Sequence, residues 1–253
     1  MITIKSNEEI ELMKKAGSIA YELLELLQNE IRIGVTTKEL DKIAHDFIIN
    51  HDSTPSFLGY EGFPASICAS INEEVVHGIP GNRKLKNGDV ISVDVGVCYK
   101  GYHADTARTY KVGHVNKDVD KLLTETKKSL YEGIKTIKAG SKLSDISKAI
   151  EKVGRRGNYA IFRELTGHGV GSELHEDPYI PNYWDGSEKD VILKSGMVLA
   201  IEPMFGLRSR EIVLENDDWT ITTIDNSVSA HYEHTVLVTD DGYEILTGEW
   251  WNG

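Results

Sequence analysis

Residues 85–94, LKNGDVISVD, recur as residues 193–202, LKSGMVLAIE, with leucine, lysine, glycine and valine in register and a carboxylate closing each copy. An acid kept in register by both halves of one chain suggests paired roles at a shared site. A second pair follows: His103-Ala104-Asp105 is echoed by His231-Tyr232-Glu233, each an acid two residues after a histidine. Two half-domains folding back on one another would bring Asp94, Asp105, Glu202 and Glu233 towards a pseudo-twofold axis. Four carboxylates in a half-buried place cannot all ionise without counter-charge, so some stay protonated unless cations sit among them. Metal ions are the economical source of that charge.

Histidines could complete such a site. Gly167-His168-Gly169 is the best candidate, because flanking glycines let backbone and ring approach a centre closely. His175, in Leu174-His175-Glu176-Asp177-Pro178, and His77, in Val76-His77-Gly78-Ile79-Pro80, come next. A histidine beside glycine is more often an ordinary loop residue, and an acid in a strand usually faces solvent. The two repeated contexts outweigh that reading for the four acids. His103 and His231 are expected to be structural or to stand behind the ligands; His45, His51, His114 and His234 are given no role.

The elements must then position these groups. Ser6 with Glu9 and Thr36 with Glu39 form capping boxes ahead of helical periodicities. The glycine-, proline- and aromatic-rich stretch 54–64 reads as a functional loop. Strands are expected over 66–71, 90–98 and 102–112, and the last two form a hairpin across Lys100-Gly101. If those two residues are the whole turn, Tyr99 faces Tyr102, Gly96 faces Asp105, and Asp94 lies diagonal to Asp105 on one face. Diagonal neighbours sit about 7–8 Å apart, within reach of a shared cation. In the second half, 119–137 and 143–153 read as helices, and 197–201, 212–214, 219–224 and 229–239 as strands. The helical pattern behind Ile31-Arg32-Ile33-Gly34 returns behind Ile137-Lys138-Ala139-Gly140. Each half is two helices followed by antiparallel strands, an α+β plan. The pseudo-repeats are expected to run approximately 7–112 and 118–240 of a single catalytic domain, 1–253, and no N-terminal extension is expected.

Composition bounds the function. A net charge of −12 argues against a nucleic-acid surface, which needs clustered cations. Lys127-Lys128 and Arg155-Arg156 read as solvated helix faces. Cys68 and Cys98 form no CxxC and no disulfide framework. There is no signal-peptide h-region and no long apolar run. A reduced, cytoplasmic protein is expected.

Taken in order, several motifs carry a close family resemblance: Asn72-Glu73 through His77-Gly78-Ile79-Pro80, Asp94-Val95-Gly96, Gly101-Tyr102-His103-Ala104-Asp105-Thr106, Thr166-Gly167-His168-Gly169-Val170-Gly171, Leu174-His175-Glu176-Asp177-Pro178, Ile201-Glu202-Pro203-Met204 and Tyr232-Glu233-His234-Thr235. They resemble the type I methionine aminopeptidases of peptidase family M24, over essentially the whole chain. The resemblance implies the pseudo-symmetric pita-bread fold around a dinuclear metal centre. It implies metal ligands at Asp94, Asp105, His168, Glu202 and Glu233, with Asp105 and Glu233 bridging, and substrate-facing histidines at His77 and His175. The two divalent ions would be Co, Mn, Fe or Zn, since one imidazole with four carboxylates does not choose among them. A monovalent cation, Na or K, is implied near Asn72, Glu74 and Ser229. The implied reaction removes the initiator methionine of nascent proteins ahead of a small second residue. Metal-activated water attacks the first peptide bond with Glu202 as general base. The implied partners are nascent N-termini and a transient ribosome contact, with no specific nucleic acid and no membrane, and a monomeric enzyme.

Three positions depart from the family pattern. Phe57 stands where relatives often carry a small or thiol residue, Glu61 where they carry histidine, and Leu174 where they carry an aromatic. All border the methionine pocket, which Tyr60, Phe63, Cys68 and Trp219 also fit. Two rivals remain: an X-Pro aminopeptidase, which usually has a further N-terminal domain, and a non-catalytic ribosome- or RNA-binding relative, which would have lost ligands. No P-loop, HExxH or GxSxG occurs, and Gly167-x-Gly169-x-Gly171 has serine where a dinucleotide fingerprint needs its last glycine.

Overall fold

A computed structural model describes residues 2–187 and 189–248 of the chain. The first half runs α1 (Asn7–Glu30), α2 (Thr37–Asn50), β1 (Thr54–Pro55), β2 (Ile67–Ile71), β3 (Glu74–Val76), β4 (Val90–Tyr99) and β5 (Tyr102–Lys111). The second runs α3 (Lys117–Ile134), α4 (Leu143–Gly157), β6 (Ala160–Ile161), β7 (Thr166–Gly169), β8 (Glu176–Pro181), β9 (Val198–Ile201), β10 (Met204–Gly206), β11 (Ile212–Leu214), β12 (Ile221–Thr223), β13 (Ser229–His231), β14 (His234–Val238) and β15 (Tyr243–Ile245). Both expected capping boxes form, Ser6 with Glu9 and Thr36 with Glu39, so α1 and α2 begin where their backbone donors are satisfied.

The repeat is structural as well as textual. Gly34 and Gly140 take φ of 92° and 88°, and Gly88 and Gly196 take 95° and 87°, a backbone region open mainly to glycine. Gly34 N donates to Leu85 O at 2.8 Å, and Gly140 N donates to Leu193 O at 2.9 Å. Isolated bridges Thr36–Lys84 and Lys142–Ile192 repeat the same crossing. Each half has its own apolar core. One packs Leu23, Leu27, Leu40 and Ile48 of α1 and α2 against Ile67, Val93 and Val95; the other packs Leu122, Leu130, Ile146 and Ile150 of α3 and α4 against Leu199, Ile201 and Val236.

In the first half β4 pairs with β1 and β2 on one side and β5 on the other, and in the second the order is β15-β14-β9-β7-β8. The β4–β5 hairpin has the expected register: Tyr99 opposes Tyr102, Gly96 opposes Asp105 and Asp94 opposes Ala107. Lys100 and Gly101 both have positive φ, 49° and 86°, so the two-residue turn matches the strand twist.

The expected strand over 229–239 is instead two. It breaks at Tyr232 and Glu233, because β13 pairs with β10 while β14 pairs with β9. The partner chain is interrupted at the same level, by Glu202-Pro203 between β9 and β10. The break lets the second half meet the outer edge of β5. Alternate residues of β5 turn their backbone groups away from β4, and the second half satisfies them. Thr235 Oγ1 accepts from Asp105 N at 2.9 Å and donates to Asp105 O at 2.7 Å. Glu233 N donates to Ala107 O at 2.9 Å, and Tyr232 Oη donates to Thr109 O at 2.9 Å. Reciprocally, Thr106 Oγ1 donates to Glu233 O at 2.7 Å. Other expectations shift locally. The 54–64 stretch contains β1 and a one-turn 3-10 helix at Tyr60–Gly62, β12 starts only at Ile221, and Lys127 is half-buried, not on a solvated face.

Candidate metal centre and substrate pocket

Five groups on different elements converge at this seam. Asp94 comes from the middle of β4, Asp105 from β5, His168 from β7, and Glu202 and Glu233 from the two strand breaks. Ligand atoms of Asp94, Asp105 and Glu233 lie within 4.8 Å of one another, as do those of His168, Glu202 and Glu233. The two triads share Glu233. His175 also comes within that range of Asp105 and His168, so distance alone lets it reach a cation as well.

The electrostatics call for positive charge between these groups. Burial pushes Asp94, Glu202 and Glu233 well above the usual carboxylate range, with neighbouring acids adding to it, and pushes Asp105 up to about 7. Burial also lowers His168 to about 3, so its ring is neutral. His168 Nδ1 lies 2.8 Å from Gly169 O, and a carbonyl can only accept, so the proton is on Nδ1 and Nε2 carries a lone pair. That lone pair faces Glu202 Oε1 at 3.5 Å and Asp105 Oδ2 at 3.9 Å. Asp94 Oδ1, Asp105 Oδ1 and Glu233 Oε1 are buried and have no hydrogen-bond donor. Cations among them would satisfy all of these atoms, and the hard-oxygen, single-imidazole donor set fits divalent first-row metals. A backbone carbonyl holding the ligating ring by its other nitrogen is the usual support for a metal-bound histidine.

A cavity of about 390 Å³ opens beside the cluster and is lined by both. Its apolar wall is Phe57, Phe63, Cys68, Leu174 and Trp219, with Phe63 and Trp219 edge to face at 5.1 Å. Tyr60 borders it and lies within hydrogen-bond distance of His175 Nδ1, at 2.8 Å. His175 stands edge-on to His168 with ring centroids 4.3 Å apart. His77 is across the cavity, 6.3 Å from the Trp219 ring, with burial lowering it to about 4. His77 also has φ of 59°, a left-handed conformation unusual for histidine and common at functional sites. The residues proposed for the site from sequence are thus brought together, His77 outside every ligand cluster. At a separate point, the carbonyls of Asn72 and Glu74 each lie 3.2 Å from Ser229 Oγ.

As expected from the sequence, His231 stands behind the acid cluster, its Nε2 3.3 Å from Glu202 Oε2, and His103 pairs with Ser56. Other features were not expected. His234, given no role, is a structural tie between Tyr131 and Thr247. The segment after His175 begins as strand β8, and residue 188 lies outside the described residues. Glu164, Leu165 and Tyr179 also line the cavity, and nothing in their local sequence signals it. Among the described residues, no helix is long and apolar enough to cross a membrane.

Comparison with known proteins agrees with this geometry. Residues 11–240 match the metallopeptidase family M24. The chain is 50% identical over 249 residues to the methionine aminopeptidase of Borreliella burgdorferi, covering 98% of each. It is 49% identical to methionine aminopeptidase 1 of Bacillus subtilis, covering 98% of this chain and 99% of that one. The crystal structure of methionine aminopeptidase from Thermotoga maritima superposes with a TM-score of 0.95 at 42% identity, covering 98% of this chain and all of that one. The prolidase of Pyrococcus furiosus superposes with a TM-score of 0.80 at 25% identity, but this chain covers only 66% of it. Fold, acid cluster and full-length similarity agree: the chain belongs to metallopeptidase family M24 and, within it, to the methionine aminopeptidases.

Proposed function

We propose that this chain is a metal-dependent exopeptidase that removes the initiator methionine from nascent proteins, preferring a small second residue. One observation carries the reading: a neutral imidazole lone pair and buried carboxylate oxygens without donors border a cavity that has an apolar wall and is flanked by two further histidines. Asp94, Asp105, His168, Glu202 and Glu233 would hold two divalent cations of the Co, Mn, Fe or Zn class. When bound, such ions supply a water of lowered pKa and polarise the peptide carbonyl.

The chain's own groups do the rest. Glu202, more open than Asp105 or Glu233, takes a proton from the attacking water and returns it to the leaving nitrogen. His77 and His175, uncharged because burial lowers both, donate to the developing oxyanion and the scissile nitrogen. Phe63, Cys68 and Trp219 accept an unbranched, polarizable side chain such as methionine. Phe57 and the start of β8 crowd the position after it. The carbonyls of Asn72 and Glu74 with Ser229 Oγ offer oxygen ligands to one monovalent cation, Na or K. We place this single catalytic unit, 1–253, in the cytoplasm, monomeric and in transient contact with the ribosome.

Hydrolysis of peptides headed Met-Ala, Met-Leu and Ala-Pro, with chelator and with added Mn²⁺ or Co²⁺, tests the reading. Fast, metal-dependent cleavage of Met-Ala alone is expected. Efficient cleavage of Ala-Pro would transfer the chain to the X-Pro specificity, and full activity in exhaustive chelator would end the metal-centre assignment.

A further inference from the structure

The segment ahead of α1 is fastened to the loop that carries His175. Lys5 is 8% exposed, unusual for a lysine, and its ammonium lies 2.8 Å from Glu176 Oε2, with both side chains buried. Lys5 Nζ also donates to Thr3 Oγ1 at 2.5 Å, and Thr3 Oγ1 donates to the same carboxylate oxygen at 2.5 Å. Glu176 Oε1 accepts from Glu173 N at 3.4 Å, so the carboxylate draws its own loop towards the N-terminal segment. That segment is itself tied to the second half, because Lys5 N donates to Gly196 O at 2.8 Å.

Two glycines make the room. A Cβ at Gly171 would lie 2.4 Å from Glu176 Oε1 and 2.6 Å from Lys5 Cε, and a Cβ at Gly196 would lie 2.7 Å from Ile4 Cγ2. A buried ion pair is a weak source of net stability, since desolvation offsets much of the attraction. Its more effective use is to fix one arrangement of the groups it joins. The residue joined here is the immediate neighbour of His175, whose ring is otherwise held by the Tyr60 hydroxyl and by contact with His168.

We propose that Lys5 is a positioning residue: through Glu176 it fixes the loop 171–176 and so holds the His175 ring against the substrate. The proposal rests on the reading of His175 as a substrate-facing group. A misplacement of about 1 Å in such a group can cost up to about 100-fold in rate.

A double-mutant cycle on the metal-loaded enzyme tests it. K5M should lower kcat on a Met-Ala peptide by about 10- to 100-fold, with metal content and KM unchanged, and K5R should recover most of the loss. In an H175A background, K5M should lower kcat no further, because the group it positions is gone. Any drop in Tm should be the same in both backgrounds. Should K5M fail to fold, T3V, at an exposed residue, should act in the same direction by a smaller factor and show the same dependence on His175. Wild-type kcat in both K5M and T3V, or an equal fractional loss with and without His175, overturns the positioning role alone. A fully active H175A overturns the role of His175 and the proposal with it.

Discussion

Thr235→Val isolates the seam between the halves. The substitution keeps the side chain's shape but removes the hydroxyl that accepts from Asp105 N and donates to Asp105 O. Both backbone groups point away from β4, and the site is fully buried, so neither finds water. An orphaned buried polar group costs about 1–3 kcal/mol, so two cost about 2–6 kcal/mol, a large share of a typical domain's 5–15 kcal/mol. Thr106→Val orphans only Glu233 O and should cost about 1–3 kcal/mol. Urea unfolding in excess chelator gives both values from the shift in midpoint at unchanged slope. Because both threonines hold the backbone of an acid proposed as a metal ligand, metal affinity in each variant should fall about 10- to 100-fold. Stability within about 0.5 kcal/mol of the parent for Thr235→Val would refute the hydrogen-bond accounting. Full destabilisation with unchanged metal affinity would refute the claim that the seam positions the ligands.

Burial raises Asp105 to about 7 from an ordinary value of 3.8, so the folded chain binds that proton more tightly than the unfolded one. In chelator, stability should therefore fall as pH rises from about 4 through about 7, and added Mn²⁺ should abolish that fall; a Tm series across this range that stayed flat without metal would contradict it. His77→Ala should lose roughly 10²–10⁴-fold in kcat with metals retained; a metal-free variant would make His77 a ligand. Phe57→Cys should change the Met-Ala to Met-Leu preference by about tenfold or more while leaving kcat on Met-Ala nearly unchanged, and steady-state kinetics on the two peptides decides it.

What was legible from sequence was local or repeated. The Asp94–Asp105 diagonal follows from a two-residue turn whose residues both adopt positive φ, and the Asp94–Glu202 pairing follows from a duplicated decapeptide. The break at Tyr232-Glu233 was not legible, because the residues on either side read as one continuous strand and the interruption is imposed by partners β9 and β10. Strand β7 was missed because its Gly-His-Gly sequence has low strand propensity, and β8 because it contains Pro178. The pocket wall was legible only through the family resemblance, since Phe57, Leu174 and Trp219 are far apart in the chain. The Lys5–Glu176 pair was hidden for the same reason, and a lysine near a terminus ordinarily reads as solvated.

The outer edge of β5 has a consequence for synthesis. The first half is complete once Lys111 has been added, yet the groups that cover Asp105, Ala107 and Thr109 come from residues 231–235. Until those are made, a nascent chain carries a sheet with one bare, hydrogen-bond-hungry margin, the kind of surface that captures other strands. Translation speed across the second half, and any chaperone that shields the margin meanwhile, therefore bear on the yield of native enzyme as directly as the stability of the finished fold.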